Sequence, residues 1–414
     1  MQLFQSYLER YSSSGEIISD LPEKNLAYSV VIPCFDEDTI IPTLNSLSEC
    51  DLPTLPVEVL VVVNSPVNSP KSILDRNKYV LTELSEIIEK SNRPGFRIFP
   101  IECSDMPVKT AGVGLARKTG MDESVRRFIK CGNPHGVIIC FDADSLCTKN
   151  YFTAIENAFR EKGCNTGLLH FEHPVNGQDY EPQLYKAIYQ YELHLRYYRW
   201  ALKYTGFPYY HYTIGSSFAV RADAYCKAGG MNKRQAGEDF YFLHKVFPYG
   251  KIVEINEASV FPSPRRSHRV PFGTGAAINE MLDTGTDYKT YSLDAFLALK
   301  HFFEKVPLFY NQPIEKIDEL LSALHPALNE YLKTICFSEK VVEVSANVTG
   351  IESFIKRFYS VFDAFRIIKF FNSSHEGFFN KMPVDKESAK LLEKLGIVEG
   401  DGDVLEIFRQ MDRT

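Results

Sequence analysis

Gly136-Val-Ile-Ile-Cys-Phe-Asp-Ala-Asp-Ser145 is the stretch on which the fold turns. Apolar and small residues run without a break into two aspartates one residue apart. Such a run, closed by polar residues, reads as a strand buried on both faces of a parallel sheet. Asp142 and Asp144 then fall where the strand leaves the core, at its carboxyl end. In open α/β sheets that edge is where ligands bind. Alternation along an extended chain sends both carboxylates to one side and Ala143 to the other. Two like charges so close call for a positive neighbour, and a divalent ion bridging to a substrate phosphate is one answer. A turn leading into a helix, with Ser145 and Asn150 as further capping types, is the competing reading of an isolated Asp-x-Asp.

The same pattern extends towards the N-terminus. Residues 28–33 form a short β-branched strand ending at Pro33, residues 57–63 a second strand closed by Asn64-Ser-Pro66, and residues 96–101 a third. Helical spacing joins them: Ile40, Ile41, Leu44 and Leu47 within 39–48, a long polar helix over 71–89, and another over 109–131. Strand and helix alternating at this spacing predict a doubly wound, mostly parallel α/β sheet. Beyond Asp144 we expect a helix over 151–161, a strand over 166–171 and a long aromatic helix over 183–204. Next come a strand over 213–220, a helix over 222–227 and an amphipathic helix over 236–246. Two short strands follow, over 251–255 and 258–261. From about residue 287 the pattern is helical, and its aromatics Phe296, Phe302, Phe303 and Tyr310 are expected to pack against the sheet domain. The chain thus divides into a helical lead-in (1–27), a sheet domain (28–286) and a helical C-terminal extension (287–414).

Bulk properties narrow the classes. With 414 residues the chain is long for one core. A net charge of -7 excludes the basic footprint of a nucleic-acid binder. Nine cysteines lie without paired metal spacings, which fits reduced thiols in a cytoplasmic protein. Residues 1–11 contain Glu9 and Arg10 and do not read as a signal peptide. No window approaches the ~18 apolar residues of a membrane helix. The expectation is a soluble protein in the cytoplasm, with peripheral contact at the inner face of a membrane left open and oligomeric state unread.

Several stretches carry candidate chemistry, each beside a plainer reading. Pro33, Phe35, Glu37 and Asn64 lie at the same sheet edge as Asp142. Phe35 can stack on a flat ring and Asn64 can bond a base edge, although singly they are turn residues. Lys109 and Arg117 flank two glycines near a helix start, where a diphosphate can bind, or form a solvated basic face. Glu238 and Asp239 open a helix, as caps or with Asp239 as general base. Arg265, Arg266, His268 and Arg269 crowd one short segment between prolines and glycines, better suited to phosphate than to solubility. His268 is also a metal candidate. Tyr212, with Tyr209 and Tyr210, offers a stacking surface for an acceptor, and Gly215 and Ser216 follow as further acceptor-side candidates.

Together these pieces resemble family 2 glycosyltransferases, whose fold is called GT-A. Val30-Val-Ile-Pro-Cys-Phe-Asp-Glu-Asp38 resembles their opening strand and loop, and Phe141-Asp-Ala-Asp-Ser145 their Asp-x-Asp motif. Gly229-Gly-Met231 followed by Gly237-Glu-Asp-Phe240 resembles their acceptor-side Glu-Asp motif, and the order matches over roughly residues 28 to 275. The resemblance implies an inverting, non-processive transfer of a sugar from a nucleotide diphosphate sugar to an acceptor hydroxyl. The acceptor is a saccharide, a lipid-linked sugar or a small molecule. It also implies a divalent metal, Mn or Mg, on Asp144 with Asp142 beside the ribose or the metal. Phe35 would face the nucleobase, Glu37 and Asn64 would help hold the nucleoside, and Asp239 would be the base beside Glu238. Two departures stand out. Family members commonly have Asp where this chain has Asn64, and the Gln-x-x-Arg-Trp signature and membrane helices of processive synthases are missing. The alternatives are a sugar nucleotidyltransferase, which would more typically carry a basic glycine-rich loop after the first strand, and a non-catalytic binding protein on the same fold.

Overall fold

The computed structural model describes residues 1–12, 14–161, 163–269, 273–397 and 402–414. The chain separates into two compact units. One comprises Met1–Ile188, Thr213–Glu280 and Asp412–Thr414, and the other Tyr189–Tyr212 and Met281–Met411.

The first unit is built on an eight-stranded sheet. Its strands are β1 (Tyr28–Cys34), β2 (Val57–Pro66), β3 (Phe96–Met106), β4 (Val137–Cys140), β5 (Ser145–Cys147), β6 (Thr166–Phe171), β7 (Phe218–Arg221) and β8 (Ile252–Pro262). They lie in the order β3-β2-β1-β4-β7-β6-β8-β5. The pairings β3/β2, β2/β1, β1/β4 and β6/β8 are parallel, whereas β4/β7, β7/β6 and β8/β5 are antiparallel. The expected α/β sheet, mostly parallel, is therefore present. Its helices are α1 (Gln2–Tyr11), α2 (Ile41–Ser48), α3 (Lys71–Ser91), α4 (Val113–Lys130), α5 (Tyr151–Glu161), α6 (Pro182–Tyr204), α7 (Ala222–Lys227), α8 (Glu238–Val246) and α9 (Thr274–Thr284). Of these, α6 and α9 continue into the second unit.

From β1 the chain steps outward to β2 and β3, then returns to place β4 on the other flank of β1. That reversal is a topological switch point, and it opens a crevice beyond the carboxyl ends of β1 and β4. Register fixes what meets there. Val31 is opposite Cys140 and Cys34 opposite Val63, so the loop after Cys34, the β2 residues from Asn64 onward, which stay paired to β3, and the Asp142–Asp144 turn lie at one edge.

Some elements differ from the expectations above. The strand over 213–220 begins only at Phe218, because the Gly215 carbonyl is turned to Arg117 instead of joining a ladder. The two short strands over 251–261 are one strand, β8. Between Leu169↔Ile255 and His170↔Ser259 its register shifts, so Asn256, Glu257 and Ala258 form a bulge rather than a turn. The helix expected from Lys109 begins at Val113. Pro107 seeds a turn, with Thr110 and Ala111 donating to its carbonyl, before the helix starts. A short strand, β5, follows Asp144 directly and pairs Ser145 with Pro262.

The second unit is helical, apart from a two-residue antiparallel ribbon joining Lys289–Thr290 to Met382–Pro383. Its core is aromatic: Phe302 packs at ring-centroid distances of 5.3 Å from Phe337 and 5.0 Å from Phe362. Phe296, Phe303 and Tyr310 likewise meet Phe371, Phe362 and Phe354 of this same unit. These rings, expected to pack against the sheet domain, thus build a core of their own. Among the described residues no helix is long and apolar enough to cross a membrane.

Candidate active site

At the switch point the two acidic motifs converge on one buried cation. Arg117 projects from α4 and is 2% exposed, so it is no part of a solvated basic face. Its Nη2 donates to Asp142 Oδ1 at 2.5 Å, its Nε to Glu238 Oε1 at 2.9 Å and its Nη1 to the Gly215 carbonyl at 2.9 Å. Burial works against the guanidinium charge, and the carboxylates of Asp142 and Glu238 outweigh it and hold Arg117 protonated. Arg117 is thus engaged with carboxylates rather than open to a diphosphate. Lys109 sits on an exposed turn and makes no ion pair with this cluster.

Gly215 is needed for that approach. A Cβ there would lie 2.5 Å from Arg117 Nη2 and 3.2 Å from Asp239 Oδ2. Ser216 is buried next to it, its hydroxyl 3.3 Å from that of Ser217. Glu238 and Asp239 begin α8, whose N-cap Gly237 has φ +66°. The Asp239 carboxyl accepts from the Phe240 N–H at 2.7 Å. Burial, and then the neighbouring charge of Glu238, push its pKa up to about 8. The Glu238 carboxyl is itself raised by burial, with Arg117 opposing.

The second aspartate of the opening stretch has a different partner. Arg265 donates from Nε to Asp144 Oδ2 at 2.7 Å and from Nη2 to Glu37 Oε1 at 2.7 Å. Arg269 binds Glu37 as well, and its Nη2 donates to the Asp36 carbonyl at 2.7 Å. Burial raises the Asp144 pKa to about 6, with Arg265 pulling the other way. Arg266 and His268 lie exposed on the same segment, of which residues 270–272 fall outside the described residues.

The loop after β1 is pinned by α3. Asp36 N–H donates to Asn77 Oδ1, the Asn77 amide donates to the Asn64 carbonyl, and Thr39 and Ile40 both donate to Glu83. Phe35 and Pro33 are half-buried at the end of β1. Asn64 is 2% exposed, and its side-chain oxygen accepts no hydrogen bond. A buried acceptor left unpaired costs about 1–3 kcal/mol, so a ligand donor has something to gain there. Asn77 and Glu83 were not read from the sequence. The signal was present: Asn77 interrupts the buried stripe of Val80, Leu84 and Ile87 at helical spacing.

Among the described residues no group of three His, Cys, Asp or Glu side chains is arranged to hold a metal ion. His268 is not brought to the aspartates; its Nδ1 lies 3.2 Å from the Asn279 amide. Two neighbouring carboxylates at a switch point nevertheless suit a hard divalent ion that takes its remaining ligands from phosphate and water. Arginine engages one named oxygen of each, Oδ1 of Asp142 and Oδ2 of Asp144. The donor set fits such an ion, although not an all-protein cage. Tyr212 belongs to the second unit.

No family model matches the sequence, and no curated protein matches it. Among solved structures the chain is similar to S. aureus TarS 1-349 in complex with UDP-GlcNAc. Identity is 14%, over 81% of this chain and 92% of that one, with a TM-score of 0.43. The mannosyltransferase PcManGT from Pyrobaculum calidifontis, in complex with GDP-Man and Mn2+, is 13% identical over 95% and 94%, with a TM-score of 0.38. GalNAc-T7 with UDP, GalNAc and Mn2+ is 15% identical over 63% and 48%, with a TM-score of 0.36. These likenesses are distant and assign no residue, substrate or ion to this chain.

Proposed function

We propose that the first unit is a GT-A-type glycosyltransferase domain that moves a sugar from a nucleoside diphosphate sugar to an acceptor hydroxyl, with inversion and one residue at a time. One observation carries the reading: Arg117 holds Asp142 and Glu238 in a single buried network at the switch point of the sheet. That network places the start of α8 beside the Asp142–Asp144 turn. A cap or turn reading of either motif leaves the shared cation unexplained.

In this proposal Phe35 and Pro33 line the nucleobase side, and the unpaired Asn64 oxygen accepts a base N–H. Glu37 positions Arg265 and Arg269, which turn to the diphosphate together with Arg266. Asp144, with Asp142, would hold the divalent ion, which supplies charge neutralisation for the leaving diphosphate when bound. Asp239, held next to Gly215 and Ser216, takes the proton of the acceptor hydroxyl. The hydroxyl oxygen bonds to the anomeric carbon as the bond to the diphosphate oxygen breaks, its electron pair leaving with the diphosphate. Attack opposite the leaving group inverts the centre.

The test is a panel of nucleotide sugars, each scored for nucleoside diphosphate release with and without Mn or Mg and mixed saccharide acceptors. Release from at least one donor that is lost in Asp144→Ala and Asp239→Asn supports the reading. A wild-type chain that binds and cleaves none of them overturns it.

A further inference from the structure

Two thiols that the transfer chemistry does not use meet beside the Asp142–Asp144 turn. Cys50 follows Glu49, the C-cap of α2, and Cys147 is the last residue of β5. Their Sγ atoms are 3.6 Å apart, although 97 positions separate them in the chain. Helix α2 grips the acidic segment around this contact. Thr43 Oγ1 donates to the Ala143 carbonyl at 2.8 Å, and Ser46 Oγ accepts from the Cys147 N–H at 2.9 Å. One helix thus holds the turn at Ala143 and the strand after it at Cys147. β5 stands at the end of the sheet beside β8, where Ser145 pairs with Pro262 shortly before Arg265.

Cysteines in contact are often plain packing. Two features set this pair apart. Cys147 is only half-buried and its neighbour Leu146 is exposed, so a molecule as small as a peroxide reaches the sulfurs, although Cys50 is 5% exposed. The contact also makes the two thiols unequal. The hydrogen bond with Cys147 lowers the Cys50 pKa, burial opposes it, and the Tyr151 N–H at the start of α5 adds to the lowering. The same bond, and burial after it, raise Cys147. A sulfur inclined to ionise, with a second thiol in contact to resolve it, is the arrangement that peroxides oxidise. The gap left to close runs from 3.6 Å to a bond of about 2 Å.

We propose that Cys50 and Cys147 are a modification site, joined by a peroxide in a disulfide that ties α2 to β5 and weakens nucleotide binding at the neighbouring turn. The Cys50 sulfur bonds to one peroxide oxygen as the O–O bond breaks, and the other oxygen leaves as water with the Cys50 thiol proton. The Cys147 sulfur then bonds to the Cys50 sulfur as the S–O bond breaks, and a second water leaves with the Cys147 proton. The two thiols lose two electrons and the peroxide gains them. Drawing Cys147 towards Cys50 pulls β5 against its pairing with β8, and Asp144 against Arg265. The effect on nucleotide rests on the transferase reading; the disulfide itself does not.

The reduced full chain is treated with hydrogen peroxide, mapped by peptide mass spectrometry, and then returned to dithiothreitol. A Cys50–Cys147 bond is expected in wild type and in neither Cys50→Ser nor Cys147→Ser. The serine at position 50 can still donate to the Ser46 carbonyl, which Cys50 Sγ reaches at 3.1 Å. Amide exchange over residues 145–147 is expected to slow in the oxidised chain. Calorimetric affinity for UDP or GDP with Mn is expected to fall about tenfold on oxidation, recover with dithiothreitol and hold constant in Cys50→Ser. No bond, a bond to another cysteine, or an equal fall in Cys50→Ser would overturn the proposal. So would unchanged affinity in a bonded chain that binds nucleotide. A mapped bond with slowed exchange, in a chain that binds no nucleotide in either state, supports the tie and counts against the transferase reading.

Discussion

Arg117 Nη2 stands 2.5 Å from Asp142 Oδ1, with 3% of the arginine side chain exposed. The first aspartate of the turn is therefore already neutralised by a residue of its own chain. The same guanidinium reaches Glu238, so both motifs share one counter-charge.

Removing that counter-charge leaves Glu238 buried and unpaired. Arg117→Met should lower stability by about 3–5 kcal/mol in a urea melt. Arg117→Lys keeps the charge but loses the three-way fork. It should fold and still lose turnover by at least about tenfold. Normal turnover in the lysine variant would show that the charge suffices and the three-way fork is dispensable.

Turnover should depend on pH through Asp239. Its carboxyl titrates near 8, and a general base acts only when ionised. The rate should rise about tenfold per pH unit and level off above about 8. Asp144, near 6, should add a steeper fall in donor binding below that value. A flat profile from pH 5.5 to 9 would remove Asp239 from the base role.

The same shift has a stability consequence of opposite sense to that of an ordinary carboxylate. Asp239 is raised from 3.8 to about 8, so between those values the folded chain binds more protons than the unfolded one. Stability contributed by the protonated form is present in full below about 4 and is lost as pH rises towards 8. Asp239→Asn does not titrate. Its thermal midpoint should gain on wild type progressively from pH 4 to pH 8, and a constant difference across that range would contradict the shift.

Asn64 separates folding from function. Its unpaired buried oxygen is a burden in the free protein. Asn64→Leu should hold or raise the thermal midpoint, while weakening nucleotide binding about tenfold by calorimetry. Unchanged nucleotide affinity would place the base elsewhere.

The sheet edge was legible because its causes are local. Buried runs ending at Cys34 and Cys140 mark strand ends, and acidic residues follow both; the run ending at Val63 stops short of β2, which continues to Pro66. Arg117 was not legible as a buried link. Gly-Leu-Ala-Arg-Lys reads as an exposed basic face, and what buries it lies 25 positions away at Asp142 and 121 away at Glu238. β5 escaped for a related reason. Ser145-Leu-Cys147 is too short for alternation to show and exists as a strand only beside β8. Ile214 and Phe218 suggested one continuous strand, but the Gly215 carbonyl is claimed by a side chain rather than a ladder. Asn256-Glu257 looked like a turn because a bulge uses the same residue types.

The pairing of Ser145 with Pro262 also sets an order of assembly. Arg265 meets Asp144 across 121 positions, and β8 has to dock before that contact can form. Pairings between such distant segments close late, after the loop entropy between them has been overcome. The parallel core of β1 to β4 can therefore form in a nascent chain while its carboxylate pair still lacks Arg265. A ribosome stalled before residue 262 would present Asp142 and Asp144 on a finished edge with half of their counter-charge still to be synthesised.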